Sequence, residues 1–161
     1  MAHRRVAKWA TGSVFLLPLK DETDCIGQVI GREPDALGSV AIALFDVKGT
    51  WSAESEVPDL GREIVFSVVL TTKDYLDSGR WLILGERASA VQNETKFYDS
   101  LRSAGFVGAK IRGSGLVEDF ANAFYGLEPW DDWYVPDYLD GFLISPDKKP
   151  VGRLVFCGRH K

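Results

Sequence analysis

The stretch that most restricts how this chain can fold is Gly12 to Gly31, GSVFLLPLKDETDCIGQVIG. In extended backbone, Val14, Leu16 and Pro18 fall on one side and Phe15, Leu17 and Leu19 on the other, so both faces are apolar. A strand with two apolar faces has to be covered on both. The polar turn Lys20-Asp21-Glu22-Thr23-Asp24 is short, and Cys25-Ile26-Gly27-Gln28-Val29-Ile30 resumes the apolar run, which predicts an antiparallel pair. Gly27 and Gly31 mark a bend or a close approach of backbone. That suits a strongly bent sheet or a small barrel. Taken locally, the stretch is a core hairpin.

The 161 residues suit one domain over 1–161, long enough to bury about 70% of the surface of its unfolded chain. Apolar residues at 45% and charged residues at 26% are ordinary for a globular protein, so neither a disulfide nor a metal is required for folding. The net charge of −4 and pI near 5.2 oppose a general nucleic-acid binder, which needs a basic face, and favour a basic partner instead. Cys25 and Cys157 sit in apolar runs, where a free thiol behaves as a small hydrophobe. No apolar run approaches the ~20 residues of a membrane span, and MAHRRVAKWATG has no apolar signal region. The expectation is a cytoplasmic protein with no membrane partner.

Further along, Ser39 to Val47 alternates through Val40, Ile42 and Leu44 as a third strand. Lys48 to Gly61 is a long connection anchored by Trp51. Ile64 to Thr71 is a β-branched fourth strand. Thr72 caps a helical turn from Lys73 to Asp77 that Gly79 ends, and Arg80 to Glu86 is a fifth strand. Ala88 to Gly113 shows no period and receives no assignment. Ser114 opens a helix through Tyr125, with Leu116, Phe120, Ala123, Phe124 and Leu127 at spacings of three and four and Gly126 at its end. Phe142 to Ser145 and Val151 to Cys157 read as a closing hairpin. The fold class is therefore α+β: a mostly antiparallel, strongly bent β-sheet or partly open SH3-like barrel with one main helix near residues 114–125.

Little in the chain suits catalysis. Its two histidines, His3 and His160, lie at the termini, so a Ser or Cys nucleophile lacks its usual activator. No GxSxG elbow or P-loop pattern occurs. The expectation is a non-enzyme with no catalytic residue, no cofactor and no metal. The enzymatic alternative is a small β-barrel ribonuclease of toxin–antitoxin type working through Arg32, Arg62 or Arg87 with carboxylates.

The distinctive segment is Glu128 to Phe142, EPWDDWYVPDYLDGF. It carries Glu128, Asp131, Asp132, Asp137 and Asp140 with no basic residue, interleaved with Trp130, Trp133, Tyr134 and Tyr138. Aromatic anchors among steering carboxylates suit a protein interface with a basic partner. A solvated acidic loop whose aromatics pack inward fits the same residues. A calcium loop is disfavoured by the missing 12-residue pattern with its central glycine. Basic residues collect instead at the two ends, at Arg4, Arg5 and Lys8 and again from Lys148 to Lys161.

With the strands placed, the chain resembles the immunity protein 26 family of bacterial polymorphic-toxin systems. The resemblance is carried by Gly12-Ser13-Val14-Phe15 leading into Leu17-Pro18-Leu19, by Gly27-Gln28-Val29, and by Ser78-Gly79-Arg80-Trp81 leading through Leu84-Gly85. The chain departs from it at Lys20 to Asp24, where a glycine turn is expected, and no motif matches after Gly113. The resemblance implies a cytoplasmic, mostly β, non-enzymatic protein that neutralises a cognate toxin of contact-dependent inhibition type. No contact residue carries over from the family; the acidic aromatic segment itself points to a basic toxin domain, a nuclease among the candidates, met by Glu128, Trp130, Asp131, Asp132, Trp133, Tyr134, Asp137, Tyr138 and Asp140. A non-enzymatic β-barrel adaptor is the remaining alternative.

Overall fold

The doubly apolar Gly12–Gly31 stretch forms a hairpin inside a sheet that is open and six-stranded among the described residues. The computed structural model describes residues 8–33, 39–52, 54–88, 111–130 and 138–152. Strands β1 (Ser13–Pro18) and β2 (Asp24–Glu33) pair antiparallel, with Phe15 opposite Gly27 and Leu17 opposite Cys25. β3 (Ser39–Gly49) and β4 (Val65–Thr71) continue the antiparallel meander. After a short helix, α1 (Asp74–Ser78), β5 (Leu82–Glu86) returns to the free side of β1. β6 (Ile111–Arg112) adds to β4 in parallel, giving the order β5-β1-β2-β3-β4-β6. With the main helix α2 (Ser114–Phe124), this is the expected α+β architecture, in its open-sheet form.

Both faces of the central strands are covered, as the sequence pattern demands. On one face Phe15, Leu17, Val40, Ile42, Leu44 and Phe66 meet Val117, Phe120 and Ala121 of α2 together with Trp81, Trp130 and Phe142. On the other, Val14, Leu16, Ile26, Ala43, Phe45 and Val65 lie under the connection that carries Trp51, Val57 and Leu60. Register shifts at Val14/Phe15, Cys25/Ile26, Val29/Gly31 and Leu44/Phe45 let the strands bend while each face keeps its apolar set.

Three of the residues that carried the family resemblance, Phe15, Gly27 and Trp81, meet at one point in this core. A Cβ at Gly27 would lie 2.4 Å from Cζ of Phe15, so glycine here leaves room for the tip of that ring against the β2 backbone. Phe15 in turn stacks on Trp81, with centroids 4.9 Å apart and planes 7° from parallel. Gln28 is buried and ties the hairpin to the end of β5, donating through Nε2 to the carbonyls of Arg87 at 2.8 Å and Gly12 at 3.3 Å.

Several boundaries differ from the sequence expectation. Phe142 to Ser145 is not a hairpin arm: a 3₁₀ turn over Tyr138–Phe142 leads to a single bridge between Leu143 and Ser67 of β4, and Pro146–Lys148 is a further 3₁₀ turn. Most of the second arm, residues 153–157, lies outside the described residues. Gly113, not Ser114, is the N-cap of α2, because the Ser114 hydroxyl donates to the Thr72 carbonyl at 2.9 Å. Lys73 likewise precedes α1, which begins at Asp74, and Thr72 bonds the Asp74 side chain. Gly79 does end α1, in the left-handed conformation at φ 85°. In the β1–β2 turn, the left-handed position is held by Glu22 at φ 70°, where a glycine was expected.

Candidate protein-interaction surface

The acidic aromatic segment starts from the end of α2, where Leu127 N–H returns to the Asn122 carbonyl at 2.8 Å and turns the chain back along the helix. Glu128 then forms an ion pair with Lys20 of the β1–β2 turn, and this carboxylate raises the Lys20 pKa. Lys20 is held from its backbone as well, donating its N–H to Asn122 Oδ1 at 2.8 Å. Asp119, one turn earlier on α2, has its carboxyl raised by burial first and by Glu128 second. The structure thus joins two stretches distant in sequence, the charged hairpin turn and the start of the acidic segment.

Trp130 supplies its ring to the core rather than to the surface: it is buried, 5.8 Å from the Phe120 centroid, and its indole N–H donates to Asp140 Oδ1 at 2.7 Å. Lys149 holds the other side of Asp140 at 3.1 Å. Tyr138 is half-buried and meets Phe142 edge-on at 6.0 Å, while Phe142 is buried and stacks on Phe120 at 4.9 Å. Asp131, Asp132, Trp133, Tyr134 and Asp137 lie outside the described residues. Of the nine expected contact residues, the structure therefore brings Trp130, Tyr138 and Asp140 together and directs Glu128 to the hairpin turn. The cations the segment lacks in sequence come from Lys20 and Lys149.

Sequence reasoning missed two contributors. Arg112, in the unassigned region, lies over the Phe142 ring with Cζ 4.1 Å from the centroid and 5.9 Å from that of Tyr138. Glu118, buried on α2, accepts from Arg80 Nε and Nη2 at 2.7 Å each and from Trp81 Nε1 at 2.9 Å. An acid inside an apolar helical stripe was the available signal for Glu118. A two-residue strand offers no comparable signal for Arg112.

At the far end of the sheet, an open cleft of about 640 Å³ is lined by Asp59, Leu60, Gly61, Glu63, Ile64, Glu86, Arg87 and Ala88. Arg87, one candidate of the ribonuclease alternative, is engaged there by the Val57 carbonyl at 2.7 Å and by Asp59 at 3.9 Å. Three carboxylates against one guanidinium oppose the approach of a phosphate backbone. Among the described residues, no three His, Cys, Asp or Glu side chains gather as metal ligands, and no helix is long and apolar enough to cross a membrane.

Compared with known proteins, the chain matches a family model described as Immunity protein 26 over residues 10–105. No curated protein and no solved structure matches it. The match spans β1 to β5 and stops before Arg112, α2 and the acidic segment.

Proposed function

The chain belongs to the immunity protein 26 family, and from that premise we propose that it binds a cognate bacterial toxin and neutralises it by occluding the active site or substrate surface. It acts in the cytoplasm as a stoichiometric inhibitor and performs no chemistry of its own. The observation that carries this reading is the way the C-terminal part is mounted. The α2 helix and Glu128 lie outside the family match, yet Arg80, Trp81 and Lys20 of the matched part hold them through Glu118, Asn122 and Glu128. A fixed sheet carrying a separately anchored acidic segment is suited to presenting a partner-specific surface.

That surface is Glu128 to Asp140, with Asp131, Asp132, Trp133, Tyr134 and Asp137 among its proposed contacts and Tyr138 and Asp140 among its described residues. Trp130 supports it from below by holding Asp140. The acidic side chains fit a basic toxin, and a nuclease suits them because its substrate cleft is cationic. The test is co-expression with a candidate toxin domain, sought first in the adjacent gene, followed by purification. Protection of the cells together with a 1:1 complex supports the proposal. Turnover of RNA by the purified chain alone, with no complex formed, favours the ribonuclease alternative.

A further inference from the structure

Arg112 is fixed at both ends but has no counter-charge among the described residues. Its carbonyl accepts from Thr71 Oγ1 at 2.8 Å and from Thr72 N–H at 3.0 Å, which locks its backbone to the end of β4. Its guanidinium rests on Phe142, a ring that is only 1% exposed and whose own carbonyl is held by Ser67 Oγ at 2.6 Å. Tyr138 flanks it, and Nη2 lies 3.4 Å from where a Cβ on Gly141 would sit. Among the described residues, every carboxylate that forms an ion pair does so with another cation: Asp140 with Lys149, Glu128 with Lys20, Glu118 with Arg80, Asp21 with Lys48 and Asp59 with Arg87.

A guanidinium carries five N–H donors in a rigid fork, and stacking on a ring orients that fork without using the donors. Here the fork is ordered in advance, half-buried, and set beside a tyrosine at the edge of the acidic segment. Arg and Tyr in such a setting carry much of the energy of protein interfaces. We infer that Arg112 is an anchor of the toxin interface and receives a carboxylate of the toxin in a bidentate contact. This inference rests on the toxin-binding reading and adds to it one acid within an otherwise basic toxin surface. A single reversed charge pair inside a field of the opposite sense fixes register and rejects basic partners that lack the acid.

The test measures binding of the cognate toxin domain to the full chain and to two variants, with thermal unfolding of each as the control. Arg112→Met keeps the stem over Phe142 and removes the fork; Arg112→Lys keeps the charge without the planar pair of donors. The expected result is that Arg112→Met weakens binding by about tenfold or more, mainly through faster dissociation, and that Arg112→Lys recovers only part of it. Binding of folded Arg112→Met within twofold of wild type overturns the inference and leaves the toxin-binding reading standing. If Arg112→Met does not fold, wild-type affinity in Arg112→Lys overturns it instead. Failure of the wild-type chain to bind the toxin at all contradicts the toxin-binding reading itself.

Discussion

Trp81 donates its indole N–H to Glu118 at 2.9 Å, on a carboxylate that also takes both forks of Arg80. One buried acid on α2 thereby holds two residues of the Ser78-Gly79-Arg80-Trp81 motif, while the Trp81 ring is stacked on Phe15. The helix is thus registered against the β1–β5 side of the sheet by polar bonds as well as by its apolar stripe.

Replacing Glu118 should show how much that registration contributes. Glu118→Ala leaves the Trp81 N–H without an acceptor in a dry site, at a cost of about 1–3 kcal/mol. Arg80 is half-exposed and can turn to water, so its part is smaller. Glu118→Gln keeps an acceptor for Trp81 and should cost about 1 kcal/mol. Urea unfolding followed by tryptophan fluorescence checks the order; equal losses for both variants would contradict it.

Glycine positions should respond with opposite signs. Gly27→Ala drives a methyl group into the Phe15 ring and disturbs its stack on Trp81, so it should destabilise by about 1–3 kcal/mol. Gly115→Ala places its methyl 3.6 Å from the Tyr75 hydroxyl, an ordinary contact, within the first turn of α2. It should stabilise by up to about 1 kcal/mol, since glycine is a poor helix former. Thermal unfolding of the two variants should move in opposite directions.

This contrast marks what was legible in the sequence. The hairpin, β3, β4 and the apolar stripe of α2 follow from local periodicity, because burial on two faces or one leaves a regular pattern in the chain. Gly27 was legible as a close approach for the same reason. β6 was not: two residues, Ile111 and Arg112, pair with β4 some forty positions away and have no period of their own. Phe142 to Ser145 misled because an apolar run alternates identically whether it forms a strand or, as here, a 3₁₀ turn with one bridge to Ser67. The acidic segment was legible as chemistry, but the Lys20 and Lys149 that neutralise Glu128 and Asp140 are distant in sequence or separated by a turn.

Acid should weaken one contact in a defined window. The Lys48 ammonium, and then the Thr23 hydroxyl, hold the Asp21 carboxyl down at about 2, against 3.8 for a free aspartate. A depressed acid favours the folded state when ionised, so its contribution is present above about pH 4 and fades as pH falls through 2. Asp24 and Asp119, raised chiefly by burial, act in the opposite sense: their contribution is present at low pH and fades as pH rises above 3.8. Asp21→Asn should therefore lower stability at pH 5 and converge on wild type near pH 2, in parallel urea titrations. A difference that is constant across this range would contradict the assignment.

Cys25 should be inert in the folded protein. Burial pushes its thiol up to about 12, and its sulfur faces the Phe45 carbonyl at 3.5 Å. In a Cys157→Ser background, alkylation at pH 8 should be more than about a hundredfold slower than for a free thiol, and urea should restore the rate. Rapid native labelling, read by intact mass, would show that the sheet opens at β2.

The most direct test of toxin neutralisation through the acidic segment is the association rate with the cognate toxin domain as a function of ionic strength. It is measured for the wild-type chain and for the double variant Asp131→Lys, Asp132→Lys. A charge-steered encounter requires that the wild-type rate fall steeply with added salt, and that the double reversal both slow it by about tenfold at low salt and flatten the salt dependence. An unchanged rate and undiminished protection of toxin-expressing cells by the folded double variant would contradict the proposed surface.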